Sequence, residues 1–132
     1  MLAHRYRFTV KNETGQTIAA NSIFVYARRY KFDQNGAKVD ESSEATVLTN
    51  SSTLANGAFL SGSTQDNTSA LWLGGYFAFV VTAPASSNGN VILYYDATTD
   101  NADNRYPSSG LGVVVAVLNF TASGTKQVSF EL

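Results

Sequence analysis

The chain has 132 residues, no cysteine and nearly balanced charge, with nine basic and ten acidic side chains. This length suits one domain with a substantial hydrophobic core, and a hydrophobic content of 44% excludes wholesale disorder. The lack of cysteine excludes disulfides, thiolate metal sites and cysteine nucleophiles.

The first predicted strands alternate in polarity from one residue to the next. The first strand places large apolar side chains on one face: Tyr6, Phe8 and Val10. A β-branched and aromatic stretch over residues 18–32 predicts the second strand. The sequence Asp33-Gln-Asn-Gly36 then predicts a tight turn, because Asn-Gly readily adopts positive φ.

Residues 37–66 are rich in Ser, Thr, Asn and Gly. Only residues 45–49 and 58–60 within this stretch resemble short strands. We therefore expect one domain over residues 1–132 with an extended loop or arm at 37–66. Long ordered loops in compact domains are often functional or mobile.

The C-terminal half contains the most apolar segments. Residues 70–83 predict a buried strand with a bulge or bend at Gly74-Gly75. Residues 91–95 and 126–132 alternate in polarity and predict two further strands. Residues 111–121 are apolar on both faces in their middle, which predicts a central strand. Seven or eight strands with closely spaced turns predict an all-β antiparallel β-sandwich of jelly-roll or immunoglobulin-like type.

An Asp- and Asn-rich stretch over residues 96–104 is the best candidate metal site. Its carboxylates are Asp96, Asp100 and Asp103. Ca²⁺ prefers six to eight oxygen ligands, but the spacing is not that of an EF-hand loop. Because Asp and Asn also form ordinary turns, the sequence favours a turn over a calcium site.

No motif indicates catalysis. His4 is the one histidine, and the chain has no nucleophile elbow, P-loop or dinucleotide-binding fingerprint. The acidic residues cluster in turns, which makes a weak case for the paired carboxylates of a glycosidase. We expect neither catalytic residues nor a cofactor.

The basic residues are concentrated near the N-terminus. Residues 1–32 hold six basic groups and one acid, a net charge of +5, whereas residues 33–132 hold three basic groups and nine acids, a net charge of −6. Such asymmetry can steer a partner, although two solvated strand faces also produce it. The candidate partner-binding residues are Arg5, Arg7, Arg28 and Arg29 with Tyr26 and Tyr30. This basic set is small and the rest of the chain is acidic, which argues against nucleic-acid binding.

The aromatic residues permit a second interpretation. Aromatic rings can stack on sugars, or they can lie in a core or an interface. The strand neighbours of Trp72, Tyr76, Tyr94 and Tyr95 favour a core or interface position. Trp72 and Tyr106 are the residues whose substitution would test sugar binding.

Several segments between residues 89 and 114 form a distinctive series. They are Gly89-Asn-Val-Ile-Leu-Tyr-Tyr95, Thr98-Thr-Asp-Asn101, Arg105-Tyr-Pro107 and Gly110-Leu-Gly-Val-Val114. The series covers roughly a quarter of the chain and resembles a pattern in small virion structural proteins of tailed bacteriophages. In that pattern a Gly-x-Val-x-Leu-Tyr strand leads to a Ser-Thr-Asp-Gly-like turn and an aromatic-Pro pair. Here Asn101 and Tyr106 stand where glycine and tryptophan are common.

The resemblance implies a β-sandwich head-decoration (cement) protein or a tail component, and it names no catalytic residue. We therefore expect a protein of the virion, made in a host cytoplasm because the N-terminus lacks the apolar core of a signal peptide. The expected partners are a major capsid protein or other virion protein and further copies of the chain, as a dimer or trimer, without nucleic acid or membrane. The alternative is a carbohydrate- or receptor-binding module of a phage tail or fibre.

Overall fold

The computed structural model describes residues 2–98 and 106–132, and all regular secondary structure in these ranges is β. The strands are β1 (Arg5–Glu13), β2 (Ile23–Phe32), β3 (Lys38–Asp40), β4 (Ala45–Thr49), β5 (Phe59–Ser61), β6 (Gln65–Asp66), β7 (Gly74–Ala83), β8 (Gly89–Ala97), β9 (Val113–Phe120) and β10 (Gly124–Glu131). None of the described residues belongs to a helix that could cross a membrane.

The strands form two antiparallel sheets. Sheet I has the order β5-β1-β8-β9, and β6 pairs with β1 beyond the end of β5. Sheet II has the order β10-β7-β2-β3, and β4 also pairs with β2. The predicted all-β antiparallel β-sandwich is confirmed. The structure has ten strands where seven or eight were predicted, because three of them are only two or three residues long.

The core lies between the inward faces of the two sheets. The predicted alternation in β1 is confirmed, since Tyr6, Phe8 and Val10 are fully buried. The Phe8 ring centroid lies 5.3 Å from that of Phe77 and 6.0 Å from that of Phe130, which joins β1 to two strands of sheet II. Burial of such large side chains is the dominant stabilising contribution in a sandwich of this size.

The strand order matches one of the predicted topologies. Counting β3 and β4 as one strand, and β5 and β6 as another, leaves eight strands. Their order within the two sheets is that of a jelly roll in which the chain starts at the third strand of the usual order. Residues at both ends of the chain bond to the segment at residues 73–75. The Leu2 amide donates to the carbonyl of Leu73, and the Gly75 amide donates to the carbonyl of Leu132.

Residues 37–66 contain the two predicted short strands, as β4 and β5, together with the additional short strands β3 and β6. Val47, Leu48 and Leu54 are buried. The Asn50 side chain accepts hydrogen bonds from the amides of Ser22 and Ile23 and donates to the carbonyls of residues 19 and 52. The sequence did not predict β3 and β6, because these strands have only three and two residues in a polar stretch.

Residues 70–83 also differ from the prediction. The strand β7 begins at Gly74, and the preceding Leu71 and Leu73 are exposed rather than buried. The Asn67 side chain holds the loop before it, accepting from the Trp72 amide and donating to the Trp72 carbonyl. Gly74 marks a close backbone approach instead of a bulge, because a Cβ there would collide with the carbonyl of Leu132.

The prediction that residues 111–121 form a central strand is wrong, because β9 is the last strand of sheet I. Its inward side chains Ala116, Leu118 and Phe120 are buried as expected. The second apolar face is left uncovered, and Val117 is 46% exposed. Apolarity on two faces is therefore not a sign of a central position in this sheet.

Candidate binding surfaces

The structure divides the predicted partner-binding residues among three places. Tyr26, Arg28 and Tyr30 project from the outer face of sheet II, whereas Arg29 projects from the opposite face. The remaining two, Arg5 and Arg7, belong to β1 in sheet I. They therefore do not form one basic surface.

The Arg29 side chain binds the Glu41 carboxylate and also contacts Tyr6 of sheet I. Its guanidinium donates two hydrogen bonds to Glu41, from Nη2 to Oε2 at 2.6 Å and from Nε to Oε1 at 2.8 Å. Nη1 donates to the hydroxyl of Tyr6 at 3.2 Å. Burial acts to raise the pKa of Glu41, but the hydrogen bonds from Arg29 and its positive charge hold that pKa below the ordinary value. Arg29 has the geometry of a structural ion pair between the sheets.

Asp96, the first carboxylate of the predicted metal stretch, is a buried residue at the end of β8. Its Oδ2 accepts a hydrogen bond of 2.6 Å from the Thr9 hydroxyl and lies 3.5 Å from Arg7 Nε. Gly112 covers it so closely that a Cβ at that position would collide with Asp96 Oδ1. Among the described residues, no group of three or more His, Cys, Asp or Glu side chains could hold a metal ion. Asp100 and Asp103 lie outside the described residues.

The two aromatic residues chosen for sugar binding are partly covered and contact different neighbours. The Tyr106 ring stacks on the Arg7 guanidinium at 4.1 Å, and its hydroxyl donates to Thr64. Trp72 is half-buried against the core and lies 4.8 Å from Lys31 Nζ. Each ring already has a cationic side chain over it, which occupies part of the surface that a sugar would stack on.

His4 is exposed and lines a small pocket next to Leu2 and Trp72. The other residues that line this pocket carry no ionisable side chain: Asn67, Leu71 and Leu73. The described surroundings thus provide neither a nucleophile nor an orienting carboxylate for the imidazole.

The outer face of sheet II contains a row of aromatic rings that is interrupted at Arg28 and is called here the aromatic face. Its members are Phe24, Tyr26, Tyr30 and Phe32 of β2 with Tyr76 of β7. The Phe24 and Tyr26 rings are stacked at 5.6 Å, and Tyr30 lies 5.5 Å from Tyr76. Tyr76 is 46% exposed and Phe32 is 53% exposed, so this row is open to a partner.

An open groove of about 500 Å³ lies in the aromatic face. Tyr26 and Tyr76 flank Ala78, whose small side chain leaves the depression between them. Charged and hydroxyl groups complete the lining: Arg28, Glu44, Ser129 and Glu131. The groove thus combines ring faces with hydrogen-bonding groups, an arrangement suited to binding.

Lys38 of β3 extends over the end of the aromatic face. Its Nζ donates to the Tyr76 hydroxyl at 3.1 Å and lies 5.0 Å from the Tyr30 ring centroid. The hydrogen bond to Tyr76 raises the pKa of Lys38. The sequence indicated a core or interface position for Tyr76, and the pairing of β2 with β7 brings it next to Arg28.

No protein-family model, curated protein or solved structure matches this chain. The surfaces described above are therefore interpreted from their own geometry and chemistry.

Proposed function

We propose that this chain is a virion structural protein of the head-decoration type, which binds an assembled shell through its aromatic face. The observation that carries the proposal is the open row of tyrosines and phenylalanines around Arg28. Tyr, Phe and Arg are enriched at protein interfaces, and Tyr and Arg often dominate their binding energy. Three of the six sequence-predicted contact residues lie here: Tyr26, Arg28 and Tyr30.

The resemblance of residues 89–114 to small phage virion proteins supports the choice of a viral shell as the partner. A protein that binds only the assembled shell stabilises it by mass action. Binding at many equivalent positions would raise the temperature at which the particle disrupts. The proposal places the protein in the virion, in contact with a major capsid protein or another virion protein.

The test is co-sedimentation of the purified chain with empty heads and virions produced by the genome that encodes it. Tyr76→Ala removes an exposed ring from the aromatic face and should weaken binding at least about tenfold, as is typical of an interface hot spot. Phe59→Ala is the matched control, because this ring is 37% exposed on sheet I. Failure of the unmodified chain to co-sediment with either particle would reject the proposal.

A carbohydrate- or receptor-binding module of a phage tail or fibre is the second candidate, and the groove beside Ala78 favours it. Tyrosine rings can stack on sugar faces, while Arg28 and the two glutamates can bind hydroxyl groups. A glycan array separates the candidates. Saturable binding of a sugar that is lost in Tyr26→Ala, without co-sedimentation with heads, would favour this function over shell decoration.

A further inference from the structure

Strand β9 is an open sheet edge in the described part of the chain. It pairs with β8 on one side, and no described strand pairs with its other side. Lys126 Nζ donates to the carbonyl of Asn119, so the C-terminal end of this edge already has a partner. The open part of the edge therefore runs over residues 113–118.

Apolar side chains surround this open edge. They form the edge strip, defined as Leu111, Val113, Val114 and Val117. Their exposed fractions are 74%, 66%, 52% and 46%, respectively. The sequence from Tyr106 to Thr125 contains no Asp, Glu, Lys, Arg or His, and no proline occurs after Pro107.

Most of the other outer strands carry the usual protection of sheet edges. The exception is β4, which has five residues and no charged side chain, but its Val47 and Leu48 are buried. Strands β3, β5 and β6 have only two or three residues, and short edges offer little to pair with. Strand β10 is eight residues long but carries Lys126 and Glu131. Natural proteins protect edges with short strands and charged side chains, and β9 has neither feature. Its exposure is therefore better explained by a partner strand than by a free surface.

We infer that β9 pairs antiparallel with β9 of a second copy of this chain, which joins two copies of sheet I into one continuous sheet. Around a two-fold axis, residue i of one copy lies opposite residue j of the other and j lies opposite i, so an edge strand without charged side chains can pair with itself in any register. Strand β9 meets this condition because none of its side chains is charged, and an equally uncharged, apolar edge complements it. The occupant that fits β9 is therefore another β9.

The geometry of β9 sets the extent of this pairing. A bulge opposite Leu93 and Tyr94 leaves Val115 without a partner in β8 and increases the local twist. We expect pairing over about five residues from each copy, a length usual for short strands. This inference goes beyond the proposed function, because it requires no shell.

Sedimentation equilibrium of the full chain from about 1 µM to about 1 mM tests the inference. The unmodified chain should form dimers, and Val117→Lys should weaken dimerisation by about 100-fold, because it places a charged lysine from each copy in the paired apolar edge. Val39→Lys is the matched control, since Val39 lies on β3 of the other sheet and is 37% exposed. This control should dimerise like the unmodified chain.

Amide hydrogen exchange provides a second measurement that does not depend on a substitution. Exchange at residues 113–117 should slow as the protein concentration rises, while exchange at residues 38–40 should not change. A chain that stays monomeric at about 1 mM, forms a trimer, or dimerises equally well with lysine at 117 would overturn the inference. Loss of shell binding with dimerisation intact would reject the proposed function alone.

Discussion

Arg28 and Arg29 are consecutive in β2, yet they bind different parts of the same residue from opposite faces of sheet II. Arg28 Nε donates to the backbone carbonyl of Glu41, whereas Arg29 binds the Glu41 carboxylate and reaches Tyr6 of sheet I. Because side chains alternate along a strand, one arginine lines the outer groove and the other joins the two sheets.

The two arginines should therefore respond differently to truncation. Arg29→Ala should lower the free energy of unfolding by about 2–3 kcal/mol, because it leaves the Glu41 carboxylate without its cation. Arg28→Ala should change it by less than about 0.5 kcal/mol but weaken co-sedimentation with heads. Urea denaturation and the sedimentation assay measure these quantities. Equal destabilisation by the two substitutions would contradict the assignment.

The Arg29–Glu41 pair also predicts an acid dependence of stability. The folded-state pKa of Glu41 lies below its ordinary value of 4.5, so its contribution is complete above pH 4.5 and is lost as the pH falls through the folded-state value. Glu41→Gln should be less stable than the unmodified chain at pH 7, and the difference should shrink below pH 4.5. Urea denaturation across this range measures it; a constant difference would reject this role for Glu41.

Gly112 should tolerate no side chain, because its backbone covers Asp96. Gly112→Ala places a methyl group against Asp96 Oδ1 and should cost about 2–4 kcal/mol of stability. Asp96→Ala should lower the stability less in the Gly112→Ala background than in the unmodified chain, because there it also removes an atom that clashes with the new methyl group. Thermal denaturation measures all three variants, with the exposed Ser109→Ala as the control. Additive effects of the two substitutions would rule out this direct contact.

Asn50 should be a major determinant of stability although it lies in a polar stretch. Asn50→Ala removes four hydrogen bonds between its buried side chain and backbone groups, so we expect a loss of about 3 kcal/mol. Asn88→Ala is the control, because Asn88 is exposed. Chemical denaturation that gives similar values for the two variants would show that this hydrogen-bonded cluster contributes little.

Only part of the candidate site could be predicted from the sequence. The set of Tyr26, Arg28 and Tyr30 follows from alternation along one strand, and the structure places these three side chains on one face. Tyr76 could not be added, since it joins them only through pairing of β2 with a strand about fifty residues away. For the same reason, the basic residues of β1 and β2 belong to different sheets despite their proximity in the chain.

By itself, the sequence determined that this chain forms β-strands, where most of the longer ones lie and which side chains share a face. These properties are local, because alternation and turn residues act over a few neighbouring positions. Only the tertiary structure decided that β9 is an edge, that residues 37–66 are folded into both sheets and that Asp96 is buried. These outcomes depend on which strands pair across long separations, and an apolar pattern within one strand does not specify its neighbours.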